Sequence, residues 1–147
     1  MKIDETNIAI IKHLKDGRKS FKAIADELSI TENTVRARVN KLIEEGVLDI
    51  TGLVDPQSLP GHQMAIIGVK LNTVKLGEVA QRISKLYGVI NVSVVTGRYD
   101  LFVQALLGPE FGLIEFYTQE VSKIAEVVEV ETYIAYQTFE LKVPYIL

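Results

Sequence analysis

The chain has 147 residues, 48% of them apolar, no cysteine and a formal net charge of −3. This is enough apolar material for packed cores in one or two small domains. The missing thiols exclude disulfides and thiolate metal sites, and two histidines, His13 and His62, are too few for a classical imidazole metal centre. No apolar run approaches the ~20 residues that cross a bilayer. The opening MKIDETN is acidic where a secretion signal is basic and then apolar, so a soluble cytoplasmic protein with no metal and no cofactor is expected.

Residues 4–16 (DETNIAIIKHLKD) predict a first helix capped by Asp4, with Ile8, Ile11 and Leu14 along one side, joined by Ile10. Asp16-Gly17-Arg18 turns the chain. A second helix follows Ser20, with Ile24, Ala25 and Leu28 as its apolar stripe. A third follows Thr31, with Val35, Val39, Leu42 and Ile43 at helical spacing. Ser20 and Thr31 are short hydroxyls placed to accept first-turn amides, and Gly46 can take the left-handed conformation that ends the third helix. Without its apolar stripe, the third helix presents Thr31, Glu32, Asn33, Thr34, Arg36, Ala37, Arg38, Asn40 and Lys41. Short polar groups come first and cations after, the order a helix needs to meet base edges and phosphates in a major groove. A second basic cluster, Arg18, Lys19 and Lys22, precedes it. Charge alone reads as solvated helix faces; its placement on a paired-helix unit favours nucleic acid, and the overall negative charge does not oppose a local basic field.

After Gly46, apolar residues at 48, 50, 53 and 54 around Asp49, Thr51 and Gly52 suggest a bend or hairpin, a small wing beside the helices. Asp55 to Gly61 holds two prolines and a glycine and reads as a hinge. This divides the chain into a helical domain with its wing or linking strand (1–54), a hinge (55–62) and a second domain (63–147). In that domain residues 63–72 read as a strand, 75–87 as a helix and 89–96 as a strand. Gly97-Arg98-Tyr99-Asp100 is a connection, 101–107 a strand, 110–125 a helix, and 127–139 a strand with Val128, Val130, Thr132, Ile134 and Tyr136 on one face. The order strand–helix–strand–strand–helix–strand predicts an α+β, ferredoxin-like domain, a four-stranded antiparallel sheet with both helices on one face. Met64, Ile66 and Gly68 alternate with Ala65, Ile67, Val69 and Leu71, so the other face is apolar too. An open apolar face is an association surface, and a dimer through it is expected. A monomer whose second face is covered by the tail LKVPYIL is the alternative.

These residues resemble the Lrp/AsnC, or feast/famine, family of transcriptional regulators over essentially the whole chain. The resemblance is carried by Asp4, Ile11, Leu14, the DGR of 16–18, Ser20, Ile24-Ala25, Leu28, Thr34-Val35, Arg38-Val39, Leu42 and Gly46-Val47-Leu48. In the second domain it is carried by Asp55-Pro56, the TGRYD of 96–100 and ETYIAYQTF. Three positions depart from the family pattern: Asn7 stands where an acid is frequent, Ser29 where the inter-helix turn usually has Gly, and Pro60 lengthens the hinge.

The resemblance implies promoter DNA as a partner. It also implies a second domain that dimerises, dimers that often assemble into octamers, and small effectors, usually amino acids, bound between dimers near the G-x-Y-D turn. On DNA, Asn33, Thr34, Arg36 and Arg38 form the expected base-facing set, since Arg can bridge guanine and Asn adenine. Arg18, Lys19, Lys22 and Lys41 are expected at phosphates, and Ser20 and Thr31, at the helix starts, complete the DNA-facing residues. Paired helices about 34 Å apart would meet half-sites one turn apart. For the effector, Gly97 allows close approach, amides of the turn can hold a carboxylate, Asp100 can accept an ammonium, and Arg98 and Tyr99 flank it. Thr132 joins this set by resemblance alone. An ordinary hairpin turn is the competing reading of these four residues. Catalysis is not expected: the rival, a sirohaem-decarboxylase-like enzyme of related fold, would call for more His, and no nucleophile or phosphate-loop motif is present. An amino-acid sensor without DNA affinity is the remaining alternative.

Overall fold

The structure, a computed structural model, describes residues 3–147; Met1 and Lys2, the start of the stretch read for a secretion signal, lie outside the described residues. The chain falls into two units, Met1–Thr51 and Gly52–Leu147.

The first unit holds α1 (Glu5–His13), α2 (Phe21–Leu28) and α3 (Glu32–Glu44). Each begins on the expected cap: Asp4 accepts from the Asn7 amide at 2.7 Å, Ser20 from Ala23 at 3.1 Å and Thr31 from Thr34 at 3.1 Å. These bonds satisfy first-turn N–H groups that have no partner within the helix. Gly46, at φ 67°, ends α3. The Val47 amide returns to the Leu42 carbonyl and the Gly46 amide to the Ile43 carbonyl, both at 2.9 Å, a Schellman closure. Ile10, Ile24, Ala25, Val35 and Val39 form the core. Two residues read as stripe members, Ile8 and Ile43, are exposed instead, and Asn7 is buried. The buried side of α1 runs through residues 7, 10 and 14, which places Ile8 about 100° away from it.

The second unit opens with β1 (Leu53–Val54), which pairs antiparallel with β6 (Val143–Pro144). Leu53-Val54 is thus paired within this unit. The stretch read as a hinge forms a 3₁₀ turn, Pro56–Ser58, capped by Asp55 and tied to the tail by Lys142 Nζ at 3.2 Å from Asp55 and by Gln57 Nε2 at 2.9 Å from the Thr138 carbonyl.

Strands β2 (Gln63–Leu71), β3 (Val89–Val94), β4 (Leu101–Leu107) and β5 (Val127–Ile134) make the expected sheet, in the order β3-β4-β2-β5 with every pairing antiparallel. The crossovers are α4 (Leu76–Ile83) and α5 (Leu113–Glu115); α5 continues as a π-helical turn, Phe116–Glu120, and a 3₁₀ turn, Val121–Lys123, rather than as one regular helix. Ala65, Ile67, Val69, Leu101, Val103 and Ala105 pack with Val79, Ile83 and Phe116 on the helix-covered face. The last strand ends at Ile134, short of residue 139. A register shift between Lys70 and Leu71 takes Val128 out of the face that Val130, Thr132 and Ile134 share. On the open face, Met64 and Leu106 are covered by Val143 of the tail. Ile66, Phe102 and Tyr133 remain 38, 37 and 48% exposed. The tail thus covers one end of the apolar face and leaves its middle open.

Candidate nucleic-acid interface and ligand turn

With Val35, Val39 and Leu42 turned into the core, α3 leaves Thr31, Asn33, Thr34, Arg36, Asn40 and Lys41 exposed. The Thr31 hydroxyl holds the Thr34 hydroxyl at 2.8 Å as well as its amide. Arg36 Nη2 donates to Glu32 Oε1 at 2.7 Å, one turn earlier, and its guanidinium lies 5.3 Å from the centre of the Phe21 ring. These contacts are at the surface and leave Arg36 free to exchange partners.

Arg38 is placed differently from expectation. Its Nη1 donates to both Asp4 oxygens, at 2.9 and 2.7 Å, and to Asn7 Oδ1 at 2.9 Å. The guanidinium beside Asp4, followed by the Asn7 amide, holds the Asp4 carboxyl below its usual range. Arg38 therefore links α3 to the start of α1 through its Nη1. Lys19 is also engaged: its Nζ lies 2.7 Å from Glu27 and 2.9 Å from His13 Nδ1, between α1 and α2. Glu27 is held low by the Lys19 hydrogen bond. The Ser20 hydroxyl is occupied by its cap, whereas Arg18, Lys22 and Lys41 are exposed. Asn7 was missed by sequence reasoning as part of this site. A polar residue at a core position of α1, facing an arginine 31 residues away, was the signal available.

In the second unit the turn between β3 and β4 is built as anticipated at Gly97, whose φ of 130° suits glycine alone. Tyr99 lies over Gly68 on the open face: a Cβ added to Gly68 would stand 2.6 Å from the ring. Arg98 is exposed, 5.3 Å from the centre of that ring and 3.5 Å from Glu129. Asp100 Oδ2 accepts the Leu71 amide at 2.8 Å, beside the register shift that leaves Val128 of β5 unpaired. Thr132 pairs with Ile67 on the helix-covered face and its hydroxyl is bonded to that of Tyr117. Tyr99 and Thr132 thus lie on opposite faces of one sheet, and the structure brings together only Gly97, Arg98 and Tyr99 of the expected set. Two roomier hollows, about 510 and about 370 Å³, share His62 at the other end of the strands.

Comparison with known proteins matches the two units separately. A winged helix-turn-helix DNA-binding model covers residues 3–49, and the Lrp/AsnC ligand binding domain model covers 64–143. The chain is 33% identical over 134 residues to an HTH-type transcriptional regulator of Pyrococcus abyssi, spanning 90% of this chain and 85% of the relative. It is 30% identical over 142 residues to the HTH-type transcriptional regulator Ptr1 of Methanocaldococcus jannaschii, spanning 94 and 95%. Among solved structures, E. coli AsnC aligns with a TM-score of 0.66 at 22% identity over 94% of this chain and 95% of that one. The feast or famine regulatory protein of M. tuberculosis complexed with L-methionine aligns with a TM-score of 0.72 at 17% identity over 99 and 100%.

Proposed function

Because the chain belongs to the Lrp/AsnC family of DNA-binding transcriptional regulators with a small-molecule effector domain, we propose that α3 reads promoter sequence, that the turn at residues 97–100 takes an amino-acid effector, and that the sheet pairs two copies. The observation that carries the reading is the surface of α3, where Asn33, Thr34, Arg36 and Lys41 stay exposed while its apolar stripe is buried. Asn33 and Arg36 meet base edges. Arg18, Lys22 and Lys41 hold phosphates, which set register but carry no sequence information. Thr31, Ser20, Arg38 and Lys19 shape and fix the helices that present them. The protein works in the cytoplasm, as a regulator and not a catalyst. His13 meets Lys19, and His62 Nδ1 meets the Pro60 carbonyl.

The L-methionine complex of the M. tuberculosis relative supports an amino acid as the effector. The half-exposed Ile66, Phe102 and Tyr133 support a two-fold contact between open faces, because one apolar patch can cover its own copy.

Gel retardation on promoter fragments recovered by mapping bound sites in the host genome tests the DNA assignment. Arg36→Ala should weaken binding by at least about tenfold, the loss of one good base pair contact, with melting unchanged. Lys22→Ala should reduce the salt slope by about 1 on every fragment. Unchanged affinity in Arg36→Ala removes α3 from the interface, and absence of any salt-dependent binding leaves a sensor without DNA.

A further inference from the structure

One line of residues on α3 serves neither the core nor an intramolecular ion pair. Val35, Val39 and Leu42 are buried. At about 100° per residue, Ala37 stands about 160–200° round the helix from both valines, at the crest of the exposed surface. Asn33 lies one turn before it and Asn40 one turn after, at i, i+4 and i+7 along one side. All three are exposed. The two arginines of the helix lie on its flanks and are paired there, Arg36 with Glu32 beside the Phe21 ring and Arg38 with Asp4 and Asn7. Among the described residues, neither the Asn33 nor the Asn40 side chain has a hydrogen-bond partner. A helix crest that meets only water is commonly charged; this one is two free amides around a methyl group. Glu44 continues the line one turn later, as an exposed carboxylate.

We propose that this crest reads adenine–thymine pairs: the Ala37 methyl packs on the C5-methyl group of a thymine, and the Asn33 and Asn40 amides each bridge N6 and N7 of an adenine. The inference rests on the DNA reading above and adds Ala37 and Asn40 to the base-facing residues. The thymine methyl is the apolar landmark of the major groove, and a short apolar side chain is suited to meet it. A carboxamide holds a donor and an acceptor side by side, and adenine presents their complements on its groove edge. From Asn33 to Asn40 the helix rises about 10.5 Å, the height of about three base pairs stacked at ~3.4 Å. Alanine also has no long side chain to hold the helix off the groove floor, so the amides on either side of it can descend to base edges. At Glu44 a carboxylate would face phosphates, so the contact ends before the last turn of α3.

Site selection from random duplexes by the full chain, followed by thymine-to-deoxyuridine exchanges in the selected site, tests this. The exchange removes only the methyl group. At one thymine of the half-site it should weaken the unaltered protein about fourfold, the value of one buried CH₂. Ala37→Gly should bind the thymine and deoxyuridine duplexes within about twofold of each other, because both changes remove the same contact. Asn33→Ala and Asn40→Ala should each weaken the selected site at least about fivefold and relax the choice of adenine at one position. Should Ala37→Gly fail to fold, Ala37→Gln places a good helix former at the same exposed position; it too should lose the preference for thymine over deoxyuridine. Full affinity of the unaltered protein for every deoxyuridine duplex, or an undiminished methyl effect in a folded Ala37 variant, overturns the assignment while α3 still reads DNA through other residues. Absence of salt-dependent binding to any duplex overturns the DNA reading itself, and this assignment with it.

Discussion

Arg36 and Arg38 lie two positions apart on α3 and have different roles. Arg36 is held by a surface pair and a ring contact, so it can move to a base with little loss. Arg38 joins Asp4 and the buried Asn7; removing it leaves the Asn7 oxygen without its donor and should destabilise the helical unit by about 1–2 kcal/mol. Helical spacing sets the two about 200° apart, on opposite flanks of the apolar stripe, but does not say which flank meets α1. Only the approach of α1 to α3 decides that one of them is occupied. The Asp4–Arg38 link also gives a pH signature. The folded carboxyl titrates below its unfolded value, so the stability it adds is complete above the unfolded pKa and is lost as pH falls through the lowered folded value. Asn caps a helix as well as Asp, so Asp4→Asn removes the charge and keeps the cap. Its melting temperature should lie below that of the unaltered protein at pH 7, and the gap should close below about pH 4. A gap that persists in acid would mean the ion pair contributes nothing.

At the scale of elements, the turn between α2 and α3 carries the departure at Ser29. It adopts φ 55° and ψ 41°, the left-handed conformation that a glycine would take without strain, and its successor's amide reaches back to the Ala25 carbonyl at 3.0 Å. The family turn is thus built with a serine in a conformation that penalises side chains by ~1–2 kcal/mol. Ser29→Gly should raise stability by about 1 kcal/mol once the greater flexibility of unfolded glycine is subtracted, read as a higher denaturant midpoint; a lower midpoint would mean that the serine is favoured there. Caps and stripes were legible in the sequence because both are set by neighbours within four residues. What was not legible depends on distant partners. Leu53-Val54 looks like half of a hairpin until Val143-Pro144 is placed beside it. The 110–125 stretch has helical spacing, yet it contains a π turn that buries Phe116 and sets Glu120 against the Tyr87 amide. Of the ligand turn, Gly97 and Tyr99 could be anticipated. The bond from the Leu71 amide to Asp100 and the hydroxyl contact of Thr132 with Tyr117 could not, since alternation along β5 does not say which face the helices cover.

For the whole molecule, the central claim is that two exposed α3 helices act together. In the proposed dimer the second unit provides the means, an apolar face that the tail covers at the Met64–Leu106 end. One α3 meets a few base pairs and a handful of phosphates, too little for selective binding at physiological salt. Two, held by one contact between sheets, double both and require a spaced, pseudo-palindromic site. Hydroxyl-radical footprinting on a promoter fragment bound by the unaltered protein measures this directly. The expected result is two protected patches on one side of the duplex, their centres about 10–10.5 base pairs or a small multiple of that apart. A single patch, or two on opposite sides of the helix, would contradict the account.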